Sequence, residues 1–267
     1  MAEIINLNKA RKEREKAADK AKAAENRIAN AVNLRHRIPL PLHIPPRWRR
    51  SRGDGSAIFD MRRIGLLGGS FNPAHRGHRR VSLAAIDALG LDELWWLVSP
   101  GNPLKPAEGM APYAARLASA REQARRSKIK VSDFEARAGT RYTVDTIAAV
   151  RQRWPSDAFI WLMGEDTMAR FHEWKHWRKL AQMVVIAVMS RPGYDDEARA
   201  ARAMGWLRQF VHPSAMAAEW TEWSAPAITF LRLPPDPTSA TRLRALDPDW
   251  HLRFAARAVG DARSTKE

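Results

Sequence analysis

Gly68-Gly69-Ser70-Phe71-Asn72-Pro73-Ala74-His75-Arg76-Gly77-His78 gathers residue types suited to one kind of chemistry, the handling of phosphate. Gly68 and Gly69 carry no Cβ, so the backbone can turn sharply there and approach a ligand. The helix that opens after them offers unpaired N–H groups and the positive end of its dipole to an anion. His75 and His78, at i and i+3, lie on one face of its first turn. From that face they can donate hydrogen bonds to phosphate oxygens and stabilise charge developing on a phosphorus under attack. Gly77 between them leaves room for the ligand. The pair also reads as metal ligands, but zinc would want a third protein ligand at suitable spacing. His172 and His176, at i and i+4, are the candidates, and they stand among Trp and basic residues.

A second constellation is Thr238-Ser239-Ala240-Thr241-Arg242-Leu243-Arg244. Pro234, Pro235 and Pro237 end the preceding strand, and Ser239 suits a helix N-cap. Its hydroxyls and free N–H groups form an anion cradle, and Arg244 can reach phosphates from the next turn. Alone, this also describes an ordinary capped helix with a surface Arg. Gly101-Asn102-Pro103-Leu104-Lys105 offers one more cation after a strand, or a simple turn with a solvated Lys.

The elements that must position these residues alternate from Ile64 onward. Apolar runs at Ile64 to Leu67, Leu94 to Ser99, Ile129 to Phe134, Ala158 to Met163, Val184 to Ser190 and Ala227 to Leu233 predict strands. Helices are expected over Gly77 to Leu89 (stopped by Gly90), Pro112 to Ser127, Val144 to Trp154, from Asp166, and from Thr241 to Leu246. Near-continuous apolar strands alternating with helices imply an α/β fold, a parallel sheet covered on both faces. In such folds ligands bind at the C-terminal ends of the strands, which is where the Gly68 and Gly101 segments fall.

The chain has 267 residues, 45% of them hydrophobic, with eleven Trp and no Cys. Absence of Cys excludes disulfides, thiolate zinc sites and a cysteine nucleophile. No stretch nears the roughly 20 apolar residues that span a bilayer, and Met1 to Lys22 lacks an apolar signal core. A soluble, cytoplasmic protein with no membrane partner is expected. The net charge of +16 is uneven. Residues 1 to 63 hold 16 Lys/Arg against 7 Asp/Glu, and the remainder 29 against 22. Residues 5 to 33 predict a solvated helix with little to bury. The Pro- and Arg-rich residues 34 to 60 read as linker or disorder. The domains are therefore a basic, partly helical or disordered N-terminal extension over 1–60 and an α/β domain over 61–267.

The first segment resembles the G-G-[ST]-F-[DN]-P-x-H-x-G-H signature of the HxGH nucleotidylyltransferase superfamily. From about Arg62 to Leu246 the chain is similar to bacterial nicotinate-nucleotide adenylyltransferases. The resemblance implies a Rossmann-like doubly wound parallel sheet with helices on both faces. It implies transfer of AMP from ATP to nicotinate mononucleotide by in-line attack, with Mg²⁺ accompanying ATP and no other metal site. His75, His78, Lys105 and Arg244 would then be the catalytic residues. Gly68, Gly69, Ser70, Phe71, Gly164, Asp166, Arg191, Ser239 and Thr241 would join His75, His78 and Arg244 in binding ATP.

Two further patches match the nicotinate enzymes rather than relatives with other acceptors. Tyr142-Thr143-Val144-Asp145-Thr146 resembles Y-T-x-x-T, which assigns Thr143 to the nicotinate carboxylate. Phe171-His172-Glu173-Trp174-Lys175 resembles F-x-x-W, which assigns Trp174 to stacking on the pyridine ring and the N–H of Lys175 to the carboxylate. Leu162 to Thr167 and Ser190 to Tyr194 resemble the segments that supply Gly164, Asp166 and Arg191. Asn72 stands where many relatives have Asp. Both residues can cap a turn and both fit the pattern. The alternatives are another HxGH adenylyltransferase, for instance with a phosphopantetheine acceptor, or a basic nucleic-acid-binding protein. No zinc finger, homeodomain or RNA-binding signature accompanies the charge, so nucleic acid is expected to bind at most weakly, through the extension. Residues 1 to 31 resemble small, basic, Ala/Lys/Glu-rich bacterial proteins with a similar "INL" start, consistent with a fusion. Met61, directly before Arg62-Arg63-Ile64, offers a second start.

Overall fold

A computed structural model describes residues 61–101, 109–190, 199–233 and 236–254. Lys105, Arg191 and the extension over 1–60 lie outside the described residues. Seven strands form one sheet: β1 (Arg63–Gly69), β2 (Glu93–Val98), β3 (Ile129–Ser132), β4 (Ala158–Gly164), β5 (Val185–Ser190), β6 (Val211–His212) and β7 (Ile228–Arg232). Their order is β3-β2-β1-β4-β5-β7-β6, and every pairing is parallel. The helices named here are α1 (Arg76–Leu89), α2 (Tyr113–Ala124), α3 (Phe134–Ala138), α4 (Thr143–Arg153), α5 (Glu165–Ala169), α6 (Trp177–Met183), α7 (Met204–Leu207) and α8 (Ala240–Leu246).

The central strands are apolar on both faces because both faces are covered. Leu66, Trp161 and Met163 pack with Ile147 and Val150 of α4 and Leu180 of α6. Leu67, Trp96 and Leu162 pack on the other side with Ile86 and Leu89 of α1 and Ala120 of α2. The chain winds outward from β1 through β2 to β3, then returns to β4 and winds the opposite way. The reversal lies between β1 and β4, and the crevice above their C-terminal ends is where a ligand binds in such a sheet.

The expected strands and main helices form, with ends shifted by no more than three residues. Gly90 takes the left-handed conformation (φ 59°) that stops α1. Sequence periodicity did not reveal β6, α3 or α6. Two residues carry no period, and five or seven carry too little of one.

Gly68 differs from its expected use. It lies inside β1, and a Cβ there would fall 2.6 Å from Cη2 of Trp161, whose side chain is 2% exposed. Gly68→Ala is expected to cost roughly 1–3 kcal/mol by overpacking. In contrast, a Cβ on Gly205 of α7 meets nothing within 4 Å, and Gly205→Ala should add up to about 1 kcal/mol. Urea denaturation of both variants checks the opposite signs.

Candidate active site

The first motif leaves β1 at its C-terminal end and enters α1. The turn is made by Phe71, not by the two glycines: its φ is 46°, a region uncommon for a non-glycine residue. Packing holds it there, with the Phe71 ring stacked 4.9 Å from Trp96 and tilted against His78 at 5.1 Å. This buried ring supports the His78 imidazole, so any contact of Phe71 with a nucleotide must come from its backbone. A Cβ on Gly69 would press on the same ring at 3.1 Å.

His75 is the N-cap of α1, and its backbone N–H donates to Nδ1 of His78 at 3.2 Å. With Nδ1 accepting, a neutral His78 ring carries its proton on Nε2 and is a donor there. The two rings lie 3.8 Å apart between centroids. A Cβ on Gly77 would meet Nδ1 of His75 at 2.9 Å and the carbonyl oxygen of Thr238 at 3.2 Å. The space that Gly77 leaves is therefore taken by His75 and by the second motif, which corrects the expectation that it is left to the ligand.

The second motif packs against this turn. Ser239 caps α8 as expected, its Oγ accepting from the N–H of Arg242 at 3.1 Å. Just before it, buried Asp236 accepts from the Thr238 N–H at 2.9 Å and pairs with Arg80 and Arg76 of α1 at 3.2 and 3.5 Å. Hydrogen bonds from Thr238 first, then the two arginines, hold its carboxyl down to about 2. Arg244 reaches back across the gap: Nη1 donates to the Asn72 carbonyl at 2.6 Å and Nη2 to Oγ1 of Thr241 at 3.3 Å. His75, His78, Ser239, Thr241 and Arg244 thus meet at one place.

Arg116, which the sequence reading did not single out, organises this end of the sheet. It is 2% exposed. Its guanidinium donates to the carbonyls of Ser70 and Ser99 at 2.7 Å each, Ala111 at 3.1 Å and Pro100 at 3.2 Å. Its signal in the sequence is an Arg on the buried stripe of α2, beside Ala115, Ser119 and Ala120.

The opposite wall rises from β4. A Cβ on Gly164 would meet Oδ1 of Asp166 at 2.7 Å, so this glycine makes room for the carboxylate. Trp174 is half-buried, edge-on to Trp161 at 6.1 Å and to Phe171 at 5.5 Å. Tyr142 caps α4 and Thr143 is its first residue. Thr146 is turned inward, its hydroxyl within hydrogen-bond distance of Oε1 of Glu135 at 3.2 Å and of the Thr140 hydroxyl at 2.9 Å. Of the two Thr in this patch, Thr143 is the more accessible. Lys175 joins the two acceptor patches, its Nζ 4.3 Å above the Tyr142 ring and 3.8 Å from Oδ2 of Asp145. Among the described residues no three His, Asp or Glu side chains are grouped to hold a metal.

Two outcomes follow from this geometry. Arg116→Met strands four carbonyls, and should destabilise the fold by about 3–5 kcal/mol in chemical denaturation. Burial pushes the Glu135 carboxyl up from 4.5 to about 7. The folded state then holds a proton that the unfolded chain has lost. This contribution is complete below about pH 4.5 and disappears as pH rises through about 7. Glu135→Gln should flatten that part of the stability profile. Parallel profiles of variant and parent would reject the assignment.

Residues 66–246 match the family model described as cytidylyltransferase-like. Residues 2–30 match a separate model described as a domain of unknown function (DUF4169). A probable nicotinate-nucleotide adenylyltransferase of Erythrobacter litoralis is 56% identical over 74% of this chain and 91% of its own length. One of Parvibaculum lavamentivorans is 50% identical over 72% of this chain and 94% of its own. The fold resembles solved structures of Plasmodium falciparum nicotinic acid mononucleotide adenylyltransferase, complexed with NaAD (TM-score 0.52) and with APC (0.51). Each is 16% identical and covers 69% of this chain and 83% of its own. By its family model and these relatives, the chain belongs to the cytidylyltransferase-like family and, within it, to the nicotinate-nucleotide adenylyltransferases.

Proposed function

We propose that the protein transfers the adenylyl group of ATP to nicotinate mononucleotide, releasing pyrophosphate and forming nicotinate adenine dinucleotide for NAD synthesis. The observation that supports this reading is the meeting of two imidazoles at the N-terminus of α1 and Arg244 of α8 at the C-terminal end of β1, which pairs with β4. A phosphate oxygen of the acceptor attacks the α-phosphorus of ATP in line. One P–O bond forms as the bond to the β-phosphate bridge breaks, and the electron pair leaves with pyrophosphate. The attacking phosphate monoester is already ionised near neutral pH, so positioning and charge stabilisation suffice without a general base.

In this reading His78 donates from Nε2 to the phosphate chain, with His75 beside it, while Ser239, Thr241 and Arg244 receive the leaving pyrophosphate. Lys105 and Arg191 add charge from segments outside the described residues. Gly68, Gly69, Ser70 and the Phe71 backbone line the nucleotide, and Gly164 with Asp166 takes its ribose. Trp174 stacks on the pyridine ring, while Thr143 and the N–H of Lys175 hold its carboxylate. Mg²⁺ carried on the phosphates of ATP would neutralise their charge. We assign this activity to residues 61–267, in the cytoplasm, with residues 1–60 as an extension. No helix among the described residues is long and apolar enough to cross a membrane.

Incubation with ATP, Mg²⁺ and each of nicotinate mononucleotide, nicotinamide mononucleotide and 4′-phosphopantetheine tests the reading through pyrophosphate release and product mass. Nicotinate mononucleotide should support turnover, and turnover with phosphopantetheine alone would overturn the acceptor assignment. His78→Ala should lower kcat by about 10²–10³-fold. Trp174→Ala should chiefly raise the acceptor KM, by roughly 2- to 10-fold for a lost stacking contact.

A further inference from the structure

We propose that Asn72 is a positioning residue of the transfer reaction, whose side-chain amide, engaged in both directions, fixes the backbone carbonyl that aims Arg244. The proposal rests on the assignment of Arg244 to the phosphate side of the site. Asn72 is 5% exposed. Its Nδ2 donates to the Gly109 carbonyl at 3.0 Å, and its Oδ1 accepts from the Ala111 N–H at 3.2 Å. The segment it grips is itself held, because Nε of Arg116 donates to the Ala111 carbonyl at 3.1 Å. With the side chain clamped, the main-chain oxygen of Asn72 is a fixed acceptor, and Nη1 of Arg244 donates to it at 2.6 Å. A guanidinium has five N–H donors. One is spent on Asn72 and one on Thr241, which sets the plane in which the remainder face an anion.

The amide is not interchangeable with a carboxylate in this chain, although either residue fits the signature. Asp at this position could still accept from Ala111. It could not donate to Gly109 and would set an anionic oxygen against a carbonyl oxygen in a buried site, leaving an unmade contact in place of a hydrogen bond. The Asn72 backbone would shift to relieve this, carrying the acceptor of Arg244 with it. Displacements of about 1 Å in a positioning group can cost about 10²-fold in rate.

The test is a double-mutant cycle on the full chain, with steady-state kinetics for both substrates. Asn72→Asp, Arg244→Lys and the pair are compared with the parent at a temperature where thermal melting shows all four folded. Asn72→Asp should lower kcat by about 10- to 100-fold and leave the acceptor KM within about 2-fold. The double variant should lose no more than the worse single variant, since both changes spoil one interaction. Losses that multiply, or an unchanged kcat in Asn72→Asp, would overturn the proposal. Asn72→Ser drops the clamp without adding charge. It should give the same kcat-selective loss, and it takes the place of Asn72→Asp in the cycle should the carboxylate prevent folding. Parent turnover is measured first. An inactive parent refutes the functional reading, whereas an active parent with a multiplicative cycle refutes the role of Asn72 alone.

Discussion

A single buried cation holds the working end of this sheet together. The guanidinium of Arg116 gathers carbonyls from the exit of β1, the exit of β2 and the approach to α2. No carboxylate is among these partners; four carbonyl dipoles stand in for a counter-ion. Burial lowers its pKa, yet arginine remains protonated in proteins, so the positive charge stays buried at this end of the sheet. The turn into α1 begins at Ser70, whose carbonyl is one of those that Arg116 holds. Asn72, two residues on, is clamped to the segment whose Ala111 carbonyl Arg116 also holds. The turn that carries His75 and His78, and the carbonyl that Arg244 reaches, are thus tied to one helix-borne side chain.

Glycine does different work here from the work its flexibility suggests. Gly68, Gly77 and Gly164 have ordinary backbone conformations, and each missing Cβ is replaced by part of another side chain: the Trp161 indole, the His75 imidazole and the Asp166 carboxylate. The turn that glycine would make at no steric cost falls instead to Phe71. Its ring is sealed between Trp96 and His78. A backbone conformation of this kind persists only where the surroundings over-determine it. The packing that imposes it also orients the histidine.

The side of the crevice beside β4 is built from aromatic edges. Trp161, Trp174, Phe171, Trp177, Trp206 and Phe210 follow one another edge to face, with centroids 5.1 to 6.1 Å apart. Rings in such a series are fixed by quadrupole geometry as well as by burial, so Trp174 is oriented from beneath while remaining half-open above. Glu135 and Thr146 similarly lock the start of α4 from inside, leaving Thr143 at its mouth.

The sequence by itself determined the α/β alternation, the placing of the phosphate motifs after β1 and before α8, and the caps at Ser239 and Gly90. Those features are local: a strand's apolar run, a helix stop and a contiguous motif are each complete within a dozen residues. Tertiary structure alone decided what the glycines make room for, which Thr of the Tyr142 patch turns inward, that Arg244 aims through Asn72, and that Arg116 is the hub. The last two depend on residues up to 172 positions apart being brought within hydrogen-bond distance. No periodicity or spacing encodes that proximity. It arises only when the sheet's reversal between β1 and β4 sets two distant motifs face to face.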